Sequence, residues 1–296
     1  MQRRKFIRGT VLSAVAVSAS GFIHFNGSQF EGDCETTTDI LGPFYRPDAP
    51  VRTNMRLAGQ IGQPVLLAGK IRHKDCTTAL KGACVELWHC DGKGVYDNDS
   101  PAFKFRAKTF CDDNGNYSFE TILPVPYDVG DGTIRPAHFH MMISAPGYQS
   151  LITQLYFNGD EHIAKDPSAS SPAAKRRILP VKEGKDKEKL VTFNVSMLDK
   201  LPPDPAVLER LSGTYAQASG DRKFELFVRD KMLWVKHPSS INGGYALQYL
   251  GENKFELYGD ADMHVHFTIN ADGSVKMLFN NKSADGKESS MELFRM

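Results

Sequence analysis

The sequence of 296 residues lacks several features that mark specialised classes of protein. Its formal net charge is only +1, so no excess of basic residues is available to bind nucleic acid. No stretch of about 20 apolar residues follows the N-terminal segment, so the folded part of the chain has no predicted membrane span. Segments with helical periodicity are too short for an α/β fold. The composition, with 41% hydrophobic and 24% charged residues, is typical of a folded soluble protein.

Cysteine is scarce as well. The five cysteines are Cys34, Cys76, Cys84, Cys90 and Cys111. This number is too low for a dense disulfide framework, although an oxidising compartment would allow one or two bridges. The odd count leaves at least one thiol outside any bridge within the chain, and the sequence does not indicate which cysteines pair.

The N-terminal segment has the pattern of an export signal. A basic cluster formed by Arg3, Arg4 and Arg8 precedes a short apolar run over residues 11–23. The adjacent Arg3-Arg4 is typical of twin-arginine signals, which carry folded proteins across the bacterial inner membrane. We therefore predict a signal over residues 1–28 and export to the bacterial periplasm or cell envelope. No clear cleavage site follows, so both a cleaved signal and an uncleaved membrane tether remain open.

Short alternating segments predict an all-β fold. The segments PVLLAGKIRH, GACVELWHC, NYSFETILP, AHFHMMISA and SLITQLYFNG are bounded by the turn sequences DGKG, DDNG and PG. Strands with this spacing indicate a β-sandwich, which we place at residues 29–200. An extended arm that is Pro-rich at its end is predicted over residues 24–50 and includes the start of this unit, and residues 159–190 are predicted to form a loop.

A second β-rich unit is predicted at residues 201–296. DKLPPDPAVLERLSGTY provides a Pro-rich linker and a short helical stretch. KFELFVRDKMLWVKH predicts two strands around Arg229-Asp230, and VHFTINADGSVKMLF predicts a hairpin that turns at Asp272-Gly273. Alternation in these strands would bury one face, as in a small barrel or sandwich. No activity is assigned to this unit.

The sequence RPAHFH contains two histidines whose side chains could bind a single metal ion. His138 and His140 stand one residue apart in a predicted strand, so their side chains point to the same face. Tyr96 and Tyr127 stand beside turns upstream. A tyrosinate at neutral pH requires a pKa shift of about three units, roughly 4 kcal/mol, which a bound cation can supply. Zinc mostly uses Cys, His and carboxylates, so a highly charged ion such as Fe(III) suits these donors better.

Five segments together resemble the intradiol ring-cleavage dioxygenases, which include catechol, hydroxyquinol and protocatechuate dioxygenases. They are LGPFYRP, LKGACVELWHCDGKGVY, DDNGNYSFETILPVPY, RPAHFHMMISAPGY and LITQLYFNGD, in the family's order across residues 38–198. The resemblance implies a non-haem Fe(III) held by Tyr96, Tyr127, His138 and His140. It also implies that Tyr127 is the axial tyrosinate displaced when a catecholate chelates the iron. Attack by O2 on the activated ring then gives a cis,cis-muconate-type diacid.

The resemblance implies two further site residues. Arg135 matches the family arginine that stabilises charge developing on the substrate, as expected of a fixed cation beside a metal site. Gln154, in TQLYF, matches a polar residue of the same pocket. The predicted catalytic residues are therefore Arg135, Tyr127 and Gln154. Taken singly, each also has a structural interpretation, such as a surface ion pair for Arg135 or a strand hydrogen bond for Gln154.

The chain departs from the familiar cytoplasmic catechol dioxygenases. An export signal and a short arm replace their N-terminal helical dimerisation segment, and the second β-rich unit is foreign to them. The loop between Tyr127 and Arg135 is short, which would leave an open pocket suited to a bulkier catechol. His264 and His266 repeat the His-x-His spacing without the arginine or the tyrosines, and we predict an ordinary polar strand face there.

Two other functions remain open. An exported Fe(III) protein would bind catecholates, including siderophores, without turnover, but the presence of Arg135 beside the four ligands favours an enzyme. A structural sandwich, such as a carbohydrate-adhesion module, would hold no iron. The expected partners are a catechol-type substrate and O2, with no nucleic acid, and the sequence does not indicate an oligomeric state.

Overall fold

The computed structural model describes residues 17–18, 21–25, 30–34, 36–130, 132–237, 243–258, 260–283 and 287–296. The Arg3-Arg4 pair of the predicted export signal lies outside these residues. The first described strands form a three-stranded antiparallel sheet and are β1 (Val17–Ser18), β2 (Gly21–Phe25) and β3 (Phe30–Asp33). Among the described residues, no helix has both the length and the apolar character needed to cross a membrane.

Two sheets packed face to face form the predicted sandwich. Their strands, with a separate two-stranded ribbon, are β4 (Pro64–His73), β5 (Cys84–Trp88), β6 (Arg106–Phe110), β7 (Asn116–Ile122), β8 (Tyr127–Asp128), β9 (Ile134–Arg135), β10 (His138–Ser144), β11 (Leu151–Phe157), β12 (Ile178–Leu179), β13 (Lys182–Glu183), β14 (Lys189–Thr192) and β15 (Val195–Met197). One sheet has the order β12-β11-β10-β5-β6. The other has the order β13-β14-β4-β15, with β7 also paired to β4, and β8 pairs with β9 in the ribbon. Alternate side chains of both sheets, among them Val65, Phe119 and Phe139, fill one core.

The segment 159–190 is more ordered than the predicted loop. It contains 3₁₀ helices at Ile163–Lys165, Pro172–Arg177 and Lys185–Lys187, together with the short strands β12 and β13. Elements of two to six residues are too short to produce a hydrophobic period, which explains why the sequence pattern did not reveal them.

The second β-rich unit is a closed barrel. Its elements are α1 (Pro205–Leu211), β16 (Gly213–Ala216), β17 (Lys223–Arg229), β18 (Met232–Lys236), β19 (Gly244–Gly251), β20 (Lys254–Leu257), β21 (Asp260–Ile269), β22 (Val275–Lys282) and β23 (Glu288–Arg295). Each strand pairs with the next, and β16 closes the ring by pairing with β23. Tyr215, Phe255 and Phe267 lie in its interior, in a core separate from that of the sandwich. The two predicted hairpins are present, and the all-β fold class is confirmed.

One disulfide joins the arm to the sandwich. Cys34 pairs with Cys76, which follows β4, whereas Cys84, Cys90 and Cys111 are free thiols. The bridge closes a loop across a sequence separation of 42 residues. A cross-link of this kind restricts the unfolded chain and so stabilises the attachment of the arm.

Candidate metal centre

The structure brings the four predicted metal ligands together at one end of β10. Nε2 of His138 lies 3.1 Å from Nε2 of His140, 3.4 Å from the Tyr96 hydroxyl and 3.5 Å from the Tyr127 hydroxyl. Donor atoms that bind one first-row metal ion at about 2.0–2.1 Å, with angles of about 90–120°, are separated by about 2.9–3.5 Å. The observed spacing therefore fits four ligands of a single ion.

Strand register places the two histidines. His138 and His140 alternate with the core residue Phe139 along β10, so both imidazoles leave the sheet on the same face. His138 is paired with Tyr156 of β11. His140 lies between Gln154 of β11 and Trp88 of β5. The sheet therefore fixes which side chains surround each histidine.

Turns and a short ribbon place the two tyrosines. Tyr127 begins β8 and is paired with Arg135 of β9, which sets the phenol beside the arginine. The turn before Tyr96 contains Gly94 at φ +82°, where an added Cβ would lie 2.8 Å from the Cβ of Tyr127. Only glycine allows so close an approach in this left-handed conformation. Both tyrosines consequently point to His138.

Both histidines are neutral, as metal binding requires, and a hydrogen bond also fixes the tautomer of His138. Nδ1 of His138 lies 2.7 Å from the carbonyl oxygen of Pro136, to which it donates, so Nε2 carries the free lone pair. Burial, reinforced by the cation of Arg135, lowers the pKa of His138 to about 3. Burial also lowers the pKa of His140 well below its usual value. Each imidazole is therefore neutral at physiological pH.

The tyrosines need a positive charge to act as ligands. Burial, with a smaller contribution from Tyr127, raises the pKa of Tyr96 far above its usual value, and burial also raises the pKa of Tyr127. Among the described residues, no group of three or more His, Cys, Asp or Glu side chains could hold a metal ion. The donors that lie together at this centre are the two imidazoles and the two phenols, and a hard, highly charged ion such as Fe(III) suits phenolates.

Aromatic residues that the sequence reasoning did not single out enclose the centre. Phe44 of the arm stacks on Tyr96, with ring centroids 4.3 Å apart, and Trp88 stacks on His140, with centroids 5.0 Å apart. Gly42 has φ +76°, and an added Cβ would lie 2.9 Å from Cε1 of His140. The sequence signals for this packing were the positions of Gly42 and Phe44 within the motif LGPFYRP and of Trp88 within LKGACVELWHCDGKGVY.

The two predicted polar site residues lie beside the four ligands and contact each other. Nη2 of Arg135 donates to Oε1 of Gln154 at 2.9 Å, and Nε of Arg135 donates to Oδ2 of Asp166 at 2.6 Å. Asp166 is buried, so this ion pair is not the surface pair considered from the sequence. Gln154 in turn donates to the carbonyl oxygen of Ile40 at 2.9 Å and so also holds the arm. Asp166 carried no recognisable sequence signal.

The other His-x-His pair stands in a different setting. His264 and His266 lie on β21, whose interior positions are taken by Val265 and Phe267, so both histidines face outward from the barrel. His264 is exposed and is paired with Glu256 and Asn280 on the neighbouring strands.

Comparisons with known proteins identify the family of the sandwich unit. Residues 40–198 match the profile of a family described as Dioxygenase. The catechol 1,2-dioxygenase of Candida albicans is 39% identical over 149 residues, which cover 44% of this chain and 49% of that protein. The chlorocatechol 1,2-dioxygenase of Rhodococcus opacus is 34% identical over 170 residues, which cover 49% of this chain and 65% of that protein.

The solved structures show the same similarity. The wild-type catechol 1,2-dioxygenase of Acinetobacter radioresistens superposes with a TM-score of 0.51 at 26% identity, over 57% of this chain and 65% of that chain. This chain therefore spans about half to two thirds of the length of the relatives that it matches.

Proposed function

We propose that this chain, which belongs to the intradiol dioxygenase family, is a non-haem Fe(III) enzyme that cleaves a catechol-type aromatic with O2. The product would be a cis,cis-muconate-type diacid, formed by opening the ring between the two hydroxyl-bearing carbons. The observation that supports this most is the convergence of Tyr96, Tyr127, His138 and His140 beside Arg135. The substrate class is supported by the relatives, which are catechol and chlorocatechol 1,2-dioxygenases.

The four ligands would have different roles. When bound, the iron would orient the catechol and activate it toward oxygen. Tyr96 is buried under Phe44, and both histidines are fixed in a central strand of the sheet, so these three ligands are held firmly. Tyr127 is only half-buried and lies on a two-residue strand. It is therefore the ligand best able to give way when the substrate binds.

Arg135 would act as the electrostatic stabiliser. Asp166 and Gln154 fix its guanidinium through Nε and Nη2, and Nη1 has no hydrogen-bond partner among the described residues. That nitrogen is available to a substrate. A cation held in place before the reaction stabilises developing negative charge without having to reorganise.

The short connection between β8 and β9 supports a pocket that is open on this side. Tyr127 and Arg135 face each other across the two-stranded ribbon, and Val129 in the connection is exposed. We infer that a catechol with a bulky substituent would be accommodated here. Comparison of kcat/KM for catechol and for a catechol with a large 4-substituent tests this inference.

We also infer that the protein is exported, to the periplasm or cell envelope. The basic N-terminus and the apolar run that follows it support this localisation, as does the Cys34–Cys76 disulfide, since disulfides persist mainly in oxidising compartments. Cell fractionation, with mass determination of the mature protein, would establish the location and whether the signal is cleaved.

Oxygen consumption with defined metals tests the proposed activity. The protein would be loaded with Fe(III) or with Zn(II) and mixed with catechol, hydroxyquinol or 4-chlorocatechol. We expect uptake of one O2 per catechol consumed and a ring-opened diacid, with the iron-loaded protein only. Equal rates for the iron and zinc forms would contradict the proposal, and iron-dependent binding without O2 uptake would indicate a catecholate-capture protein.

A further inference from the structure

Buried polar groups connect Arg135 with a second ion pair that does not contact the four ligands. Nη2 of Arg135 lies 3.3 Å from the hydroxyl of Tyr156, which is completely buried. The Tyr156 hydroxyl in turn lies 3.1 Å from Oδ2 of Asp39. The same Asp39 oxygen accepts a hydrogen bond from Nη1 of Arg177. This second ion pair joins Asp39 of the arm to Arg177 of a 3₁₀ helix, 138 positions away in the sequence.

The Asp39–Arg177 pair is shielded from water and well satisfied. The side chains of Asp39 and Arg177 are 4% and 2% exposed. Oδ1 of Asp39 accepts from the amide of Ile40 at 2.7 Å. Arg177 also donates to the carbonyl oxygen of Gln154 at 3.0 Å and to the hydroxyl of Thr37 at 2.9 Å. Buried charges are costly unless paired and hydrogen-bonded, as they are here, so the geometry of the pair is tightly specified.

The hydroxyl of Tyr156 carries one proton and has two acceptors within reach. These acceptors are Oδ2 of Asp39 and Oε1 of Gln154, each at 3.1 Å. A carboxylate is the stronger acceptor, so the proton is directed to Asp39. The oxygen of Tyr156 then presents a lone pair to Nη2 of Arg135, and Oε1 of Gln154 remains free to accept from the same nitrogen.

Loss of the Asp39 charge would reverse this arrangement. Without the carboxylate, the Tyr156 proton would turn to Oε1 of Gln154 and compete with Arg135 for that oxygen. The guanidinium would keep its hydrogen bond from Nε to Asp166, but the position of Nη2 would no longer be fixed by Gln154. Small displacements of a positioned group cost much in rate, because the stabiliser must already be in place when charge develops.

We propose that the Asp39–Arg177 ion pair is a positioning pair for Arg135, and that it acts through the hydroxyl of Tyr156. Neither member of the pair has a hydrogen bond to Tyr96, Tyr127, His138 or His140 among the described residues. The inference rests on the proposed function, since it concerns how Arg135 is held for that reaction. It assigns a role in turnover to two residues that would otherwise be regarded as anchors of the arm.

Double-mutant cycles that combine Asp39 or Tyr156 with Arg135 test the proposal. Asp39→Asn and Tyr156→Phe would each be made in the natural protein and in the Arg135→Gln background, and kcat, KM and iron content would be measured with catechol. We expect each single variant to lower kcat by about 10–100-fold while iron content stays unchanged, the range typical of residues that orient a ligand or stabilising group. In the Arg135→Gln background the same changes should alter kcat by less than about twofold, because the group that they position is gone.

Tyr117→Phe is the matched control. Tyr117 is also a buried tyrosine of the sandwich, and its hydroxyl donates to the carbonyl oxygen of Phe193 at 2.7 Å. Its loss of a buried hydroxyl should lower thermal stability by an amount similar to that of Tyr156→Phe without affecting kcat. A merely structural role for Tyr156 predicts that the two variants behave alike.

The outcomes separate this inference from the proposed function. If the natural protein turns over catechol and Asp39→Asn and Tyr156→Phe do so equally well, the positioning role is wrong and the proposed function stands. An equal fractional loss of kcat with and without Arg135 would also overturn the positioning role. If Asp39→Asn fails to fold, Tyr156→Phe and its control decide the question, because they leave the ion pair in place. Absence of turnover by the natural iron-loaded protein would overturn both proposals.

Discussion

The indole of Trp88 lies parallel to the imidazole of His140, with the ring planes 7° apart and the centroids 5.0 Å apart. Nδ1 of His140 has no hydrogen-bond partner among the described residues, in contrast to His138, which donates to a backbone carbonyl. Packing therefore fixes the orientation of His140. The contacts that do so are the indole of Trp88 and the backbone of the arm at Gly42.

Replacement of Trp88 should weaken metal binding. Trp88→Leu removes the flat surface that orients His140, and we expect iron to dissociate about 10–100-fold faster into a chelator, the range seen when groups supporting a ligand are removed. Trp234→Leu is the control, since it removes the chain's other tryptophan from the barrel. Equal dissociation rates for the two variants would contradict a role for Trp88 at the metal centre.

An added methyl group at Gly42 should affect stability and iron content together. Gly42→Ala and Gly59→Ala both place a Cβ at positive φ, +76° and +71°, so each should lose about 1–2 kcal/mol of folding free energy. Only the Cβ at Gly42 would meet His140, because nothing lies within 4 Å of the Cβ position at Gly59. We expect both variants to lower Tm and only Gly42→Ala to lower the iron content. Equal iron content in both would show that the arm adapts without disturbing the centre.

Stability should fall in mild acid because of His89. His89 is buried, with its ring nitrogens 2.7 Å from the Cys90 carbonyl oxygen and 2.8 Å from the Thr121 hydroxyl. Burial, reinforced by the cation of Arg106, lowers the pKa of His89 from 6.5 to about 4. The unfolded chain thus binds an extra proton between these values. The contribution of His89 to the free energy of unfolding is therefore fully present above pH 6.5. It is lost as the pH falls through 4, by about 3 kcal/mol in total.

Urea unfolding at pH 7, 5.5 and 4.5 checks this expectation. His89→Gln supplies a side chain that can still form hydrogen bonds to Cys90 and Thr121 but has no group that titrates. Its free energy of unfolding should therefore depend less on pH than that of the natural protein in the same metal state. Parallel pH profiles would mean that His89 does not resist protonation in the fold.

The barrel should show the opposite dependence through Glu256. Burial and the carboxylates of Asp260 and Asp262 raise the pKa of Glu256 to about 7. The folded-state pKa therefore exceeds the unfolded value of 4.5, so stability is complete below pH 4.5 and falls as the pH rises through 7. Glu256→Gln should raise the free energy of unfolding at pH 8, by at most about 3 kcal/mol, and leave it unchanged at pH 4.5. An equal effect at both pH values would indicate that Glu256 titrates normally.

Much of the fold could be predicted because the strands alternate cleanly. PVLLAGKIRH coincides with β4, and the hairpin turning at Asp272-Gly273 lies between β21 and β22. The closure of the barrel could not be predicted, because pairing of β16 with β23 joins the two ends of the unit, and local periodicity carries no information about such contacts. The Cys34–Cys76 pairing is non-local in the same way.

In the candidate site, too, local features could be predicted from the sequence and contacts between distant residues could not. That His138 and His140 lie on one face could be predicted from the two-residue period of a strand. The five motifs predicted the family, which the comparisons confirm. The ion pairs of Asp39 with Arg177 and of Asp166 with Arg135 could not be predicted, because each joins residues distant in sequence and none of the three stands in a distinctive local pattern. Trp88 was part of a motif, but its stacking on His140 depends on the register of β5 with β10.

The most direct test of ring cleavage at this centre is anaerobic titration of the Fe(III)-loaded protein with catechol, followed by admission of air. We expect a new visible band to form as the catecholate binds. After air is admitted, this band should decay with uptake of O2 and with the appearance of muconate-like absorbance. A band that persists in air would contradict ring cleavage, and the absence of any band from the iron-loaded protein would contradict catecholate binding at Tyr96, Tyr127, His138 and His140.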